Sequence, residues 1–114
     1  MIIYHVISKV DWEDALIYGR YVPESLESDG YIHNCDKEQV VKIANWLYPE
    51  EKDLLILCVD TEQVNAPIKH EDLEDSGEKF YHIYGELNLN AVTRIVEFPC
   101  NENGEFAFPK ELME

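Results

Sequence analysis

The chain opens on Ile2-Ile3-Tyr4-His5-Val6-Ile7, an unbroken run of β-branched and aromatic residues with one histidine. Such a run favours a pleated strand. Period two places Ile3, His5 and Ile7 on one face and Ile2, Tyr4 and Val6 on the other. Both faces are mostly apolar, which predicts a strand inside a sheet. Asp11 then offers a carboxylate to the orphan amides of a first helical turn. Trp12, Ala15 and Leu16 share a helical face, and Gly19 suits the left-handed residue that closes a helix. A short helix is therefore expected over residues 12–18. Residues 20–29 lack a period and carry Pro23 as a breaker.

Asp29-Gly30 signals a turn, and Tyr31-Ile32-His33 reads as a short strand after it. Asp36 and Gln39 resemble a capping box, followed by a helical stripe of Val40, Val41, Ala44, Leu47 and Tyr48 that Pro49 ends. Trp12 and Trp46 both fall on predicted helix faces and read as core. Residues 53–60 hold Leu-Leu-Ile-Leu-Cys-Val, a buried strand by length and content. Pro67 marks a turn, and 68–70 start another strand. Residues 72–79 form an acidic, solvated loop. Phe80, His82 and Tyr84 share one face of a strand over 80–84, and 91–98 form a further strand. From Pro99 onward little periodicity remains. This order predicts an α+β fold with mostly antiparallel sheets and short helices between the early strands, because the late connections are too short for crossover helices. At 114 residues the chain has the size of one domain, 1–114.

Charge narrows the partners. Twenty-four acidic residues against nine Lys plus Arg give a net charge of −15. A surface of that sign disfavours nucleic acid, whose phosphates need basic neutralisation, and anionic membranes equally. The first ten residues lack the basic region and cleavage site of a signal peptide, and no apolar run approaches the ~20 residues of a membrane span. The three cysteines, Cys35, Cys58 and Cys100, are widely spaced and imply no disulfide framework. A cytoplasmic protein is expected.

Common catalytic signatures are missing. The five glycines fit neither a dinucleotide fingerprint nor a phosphate loop, and no nucleophile elbow, Cys-x-x-Cys or His-Glu-x-x-His occurs. His33 and Cys35 lack a second close ligand pair, so no metal is expected. The histidines carry the signal instead. His5, His33 and His82 lie in predicted strands, each close to a tyrosine. One strand histidine is ordinarily a satisfied core residue, whereas three suggest a shared polar cleft. Glu71 is placed to orient a histidine or stabilise a developing cation. Tyr4, Tyr31 and Tyr84 offer rings that could stack on a base or nicotinamide.

These residues also carry a family resemblance. Ile3-Tyr4-His5, Trp12, Ala15, Gly19 and Tyr21-x-Pro23-x-Ser25-Leu26 resemble the opening of the domain of unknown function 952 family. Asp29 to His33 is similar to its second motif. Phe80-x-His82-Ile83-Tyr84-Gly85-x-Leu87 resembles its third. Asn34-Cys35, Tyr81 and Glu86 depart from the family's usual residues. The family is in turn similar to the ADP-ribosyltransferase superfold, two small sheets around a cleft. That resemblance implies NAD as substrate and a nucleotide-like small-molecule ligand. It places His5 on a ribose hydroxyl, has Tyr31, His33 and Tyr84 frame the ligand, and leaves His82 and Glu71 as the catalytic pair. The third motif lacks the usual glutamate, with Glu71 or Glu86 as the candidate substitutes, and Arg20 and Arg94 are the chain's only arginines. A non-catalytic small-ligand or protein-binding module on the same fold is the alternative.

Overall fold

The computed structural model describes residues 1–113. Its central element is β4 (Leu54–Asp60), buried along nearly its whole length. It pairs antiparallel with β1 (Ile2–Ser8) on one side and with β8 (Val92–Glu97) on the other. Two smaller antiparallel sheets complete the fold. One joins β2 (Arg20–Tyr21) to β7 (Leu87–Asn88), and the other has the order β3 (Ile32–Asn34), β6 (Phe80–Ile83), β5 (Ile68–Glu71). The α+β class with small antiparallel sheets follows the sequence pattern, with three sheets in place of the expected two.

β4 buries both faces because it separates two cores. Leu55, Leu57 and Val59 point into the first, with Ile3, Ile7, Trp12, Ile32 and Ile83. Leu54, Ile56 and Cys58 point into the second, with Val6, Val40, Ala44 and Phe98. The predicted alternation of β1 holds, since Ile3 and Ile7 serve one core and Val6 the other. β1 ends the order of its sheet, but its free edge is not bare. Tyr4 and Cys35 exchange two backbone hydrogen bonds of 2.8 Å, tying β1 to the end of β3.

Three local expectations are corrected. Helix α1 runs Lys9–Tyr18, three residues longer at its start, because Ser8 is the cap and its Oγ accepts from the Asp11 amide at 3.1 Å. Gly19 closes α1 at φ +90° as expected, donating to the Ala15 carbonyl. Residues 20–29 are not irregular, since they hold β2 and a short helix α2 (Glu24–Ser28) that Pro23 precedes rather than breaks. Helix α3 (Val40–Leu47) follows the expected reciprocal bonds between Asp36 and Gln39, each 3.0 Å. Its stripe is narrower than predicted, because Val40 and Ala44 face the core while Leu47 and Trp46 do not. The aperiodic end of the chain still packs, with Phe106 and Leu112 buried in the second core and Phe106 bonded through its backbone to the Asn45 side chain. No helix among the described residues is long and apolar enough to cross a membrane.

Candidate functional site

The histidine cluster grows from the pleat of the β3-β6-β5 sheet. Ile32 and Ile83 face each other across it and enter the first core. Their neighbours His33 and His82 form the next register pair and so occupy the opposite face. Tyr31 precedes β3, Tyr84 follows β6, and both keep that alternation. Glu71 joins the face from β5, where Lys69 is the partner of His82. Tyr31 is the hub, its ring centroid 4.2 Å from His82, 4.9 Å from His33 and 5.5 Å from Tyr84.

Behind His82 lies a polar chain. The Tyr84 hydroxyl donates to both Glu71 oxygens, and Glu71 Oε2 stands 3.4 Å from His82 Nδ1. That last approach is in ion-pair range but not aligned as a hydrogen bond, so the buried Nδ1 has no bonded partner. His82 is only 4% exposed. Burial pushes its pKa down, and Glu71 partly opposes that shift. The Tyr84 hydrogen bond holds Glu71 below the usual carboxylate range, and Glu71 in return raises Tyr84 to about 12. An ionised carboxylate beside Nδ1 favours the proton there. Nε2 then carries the lone pair, and among the described residues nothing bonds to it.

His5 stands apart from this cluster. It is buried among core residues of β1, its Nδ1 donates to the His33 carbonyl at 2.6 Å, and its Nε2 accepts from the Tyr21 hydroxyl at 2.9 Å. Burial lowers its pKa to about 4, so it is neutral at pH 7. With both nitrogens engaged, His5 offers a ligand no free polar atom unless it gives up a bond. His33 is exposed and pairs with Asp29 at 3.1 Å. His70 stacks on Tyr81, on the other face of the sheet from His82. Glu86 is spent on Arg20, at 3.3 Å.

A concavity of about 630 Å3 opens beside the cluster, within the usual size of a small-molecule site. His5, His33, His82 and Tyr31 form part of its wall, whereas Glu71 and Tyr84 do not line it. Tyr4, Tyr21, Trp46, Tyr48 and Phe80 supply further aromatic surface. Trp46 corrects the sequence reading most sharply. It is 67% exposed and lines the concavity instead of entering a core. The signal was available, because Trp46 sits two residues past the buried Ala44, about 200° round the helix. Asn34 and Cys35 also line the wall. Burial raises the Cys35 thiol to about 12, which makes it a poor nucleophile at neutral pH. No Lys or Arg lines the concavity, and no group of three His, Cys, Asp or Glu gathers as a metal site among the described residues.

The crystal structure of protein CC0527 from Caulobacter crescentus is similar over 100% of both chains, at 26% identity and a TM-score of 0.88. The solution structure of CC0527 is similar over 91% of this chain and 90% of that one, at 28% identity and a TM-score of 0.79. No curated protein matches the chain. Residues 6–95 match the family described as Protein of unknown function (DUF952), and the chain belongs to that family.

Proposed function

We propose that the concavity is a small-molecule site for a flat, nucleotide-like ligand, with His82 as its proton-transfer group. The observation that carries this is the chain from Tyr84 through Glu71 to His82, which ends on an unbonded Nε2 at the wall of the concavity. A carboxylate 3.4 Å from one imidazole nitrogen favours the proton there and leaves the other as a base or hydrogen-bond acceptor. Tyr31 offers the ring face, His33 flanks it, and Tyr84 positions Glu71. In this reading His5, itself on the wall, sets Tyr21 and the β3 backbone and so shapes the pocket.

The resemblance to ADP-ribosyl-transferring enzymes suggests NAD as the substrate. Cleavage of its nicotinamide bond builds oxocarbenium character that a carboxylate stabilises. Glu71 would act there through His82, since it does not itself reach the wall. The second reading is a binding module without turnover. It is favoured by the missing third-motif glutamate and by the imperfect alignment of Glu71 on His82.

Calorimetric titration with nicotinamide, 1-methylnicotinamide, ADP-ribose and NAD tests both, on wild type and His82→Gln. The enzyme reading expects at least one ligand bound, about tenfold weaker binding in His82→Gln, and product formation by wild type alone. Binding without product supports the module. Binding of none of the four, or binding indifferent to His82, overturns the site.

A further inference from the structure

β1 meets the concavity along its edge. Tyr4, His5, Val6, Ile7 and Ser8 all line it, although successive side chains of a strand point to opposite faces. A cavity touches five strand residues in a row only by running along the hydrogen-bonding edge between the two faces. Backbone bonds say which groups that edge presents. Thr61 donates to the Met1 carbonyl and Lys9 to the Asp53 carbonyl, so the odd-numbered residues of β1 bond to β4. The even-numbered residues face the other way, as the two bonds between Tyr4 and Cys35 show.

That bridge is isolated. A continuing antiparallel ladder would next pair Val6 with His33. Instead the His33 carbonyl accepts from His5 Nδ1 at 2.6 Å, and the contact between β1 and β3 stops after one rung. The Val6 N–H, the Val6 carbonyl and the Ser8 N–H are left without a strand partner on the side that lines the concavity. Val6 is only 7% exposed, and unpaired backbone groups at such a position are rare. An open edge of this kind is a template for another main chain. The rest of the wall sets the charge of that chain. Asp11, Glu24, Asp29, Glu51, Asp72 and Glu74 line it, and no Lys or Arg does. A second copy of the protein carries −15 itself and is repelled.

We propose that the open edge of β1, from Val6 to Ser8, binds an extended, positively charged peptide segment of a partner protein by strand addition. The Val6 N–H and carbonyl exchange two bonds with one peptide residue, and the Ser8 N–H donates to the peptide carbonyl two residues along. The proposal rests on the second reading above, a binding module, and names what that module binds.

The test is amide NMR and hydrogen exchange on the full chain, alone and with a blocked pentapeptide of alternating lysine and valine. In dilute protein the Val6 amide should exchange about tenfold faster than those of His5 and Ile7, which bond to β4. The peptide should slow that exchange and shift the Val6 and Ser8 amides. A strand offers β1 only one of its edges. Methylating the peptide nitrogens of one edge should therefore weaken binding about tenfold, and methylating those of the other should change it little. Glu24→Gln combined with Glu51→Gln should weaken binding about fivefold. Glu102→Gln combined with Glu105→Gln removes the same charge outside the wall and should leave binding nearly unchanged. A Val6 amide as protected as its neighbours, equal effects of methylating either edge, or equal weakening by both double variants overturns the proposal. Protection of Val6 that grows with protein concentration shows a second copy on the edge and overturns it too. If the peptide fails while one of the four small molecules above binds in a His82-dependent way, the proposal falls and the site stands. If none of them binds, both fall.

Discussion

The Tyr84 hydroxyl donates to both oxygens of Glu71, at 2.6 and 3.0 Å, and this pair sets the charge behind His82. Each member shifts the other, with Glu71 held low and Tyr84 raised to about 12. Tyr84→Phe removes the donor, so the Glu71 pKa should rise toward the ordinary carboxylate value. Carboxyl-carbon NMR titration of wild type and variant reads this directly. An unchanged Glu71 titration contradicts the assignment.

A second consequence concerns His5 and acid. Its imidazole takes a proton near pH 4 when folded, against 6.5 as the ordinary value. Between those values the unfolded chain binds more protons than the folded one, so stability falls as the pH drops from 6.5 toward 4. Above 6.5 neither state is protonated, and the full contribution is present. The amount is about 3 kcal/mol. Urea unfolding at pH 7 and pH 4.5 should show a smaller loss in His5→Gln, which keeps hydrogen-bonding atoms and does not titrate. Equal losses would show that His5 is not the titrating group.

The two tryptophans should behave as opposites. Trp12→Ala leaves a hole in the first core and should cost about 3–5 kcal/mol. Trp46→Ala removes an exposed ring and should fall within about 0.5 kcal/mol of wild type. Denaturant midpoints compare them. A large cost at Trp46 would place that ring in a packed interface.

Ser8, not Asp11, caps α1. Ser8→Ala should therefore destabilise by about 1 kcal/mol, whereas Asp11→Ala should lose only a weak interaction with the helix dipole. Thermal unfolding of the two variants settles the order, and a greater loss at Asp11 would reverse it.

Much of this architecture was legible, for particular reasons. β1 and β4 are long and apolar on both faces, so pattern alone located them. The period-two spacing of Phe80, His82 and Tyr84 put the last two on the face where Tyr31, His33 and Glu71 meet them. What pattern could not show was distance across the sheet. Nothing local says that Glu71 backs His82, or that His5 spends both nitrogens on His33 and Tyr21. The two-residue strands β2 and β7 are too short to carry a period. For Trp46, hydrophobicity argues for the core and angular position argues against it, and position prevails. Ser8 gives no separate capping signal because it also ends a strand, and the turn from β1 into α1 leaves no gap between them.

The central claim is that Glu71 holds a proton on His82 Nδ1 and leaves Nε2 open to the concavity. Nitrogen NMR of the histidine rings across a pH titration tests it most directly. The account predicts a neutral His82 at pH 7 with the proton on Nδ1, a pKa below the ordinary histidine value, and a further fall in Glu71→Gln. A proton on Nε2 at neutral pH, or a His82 titration that ignores Glu71, would contradict it.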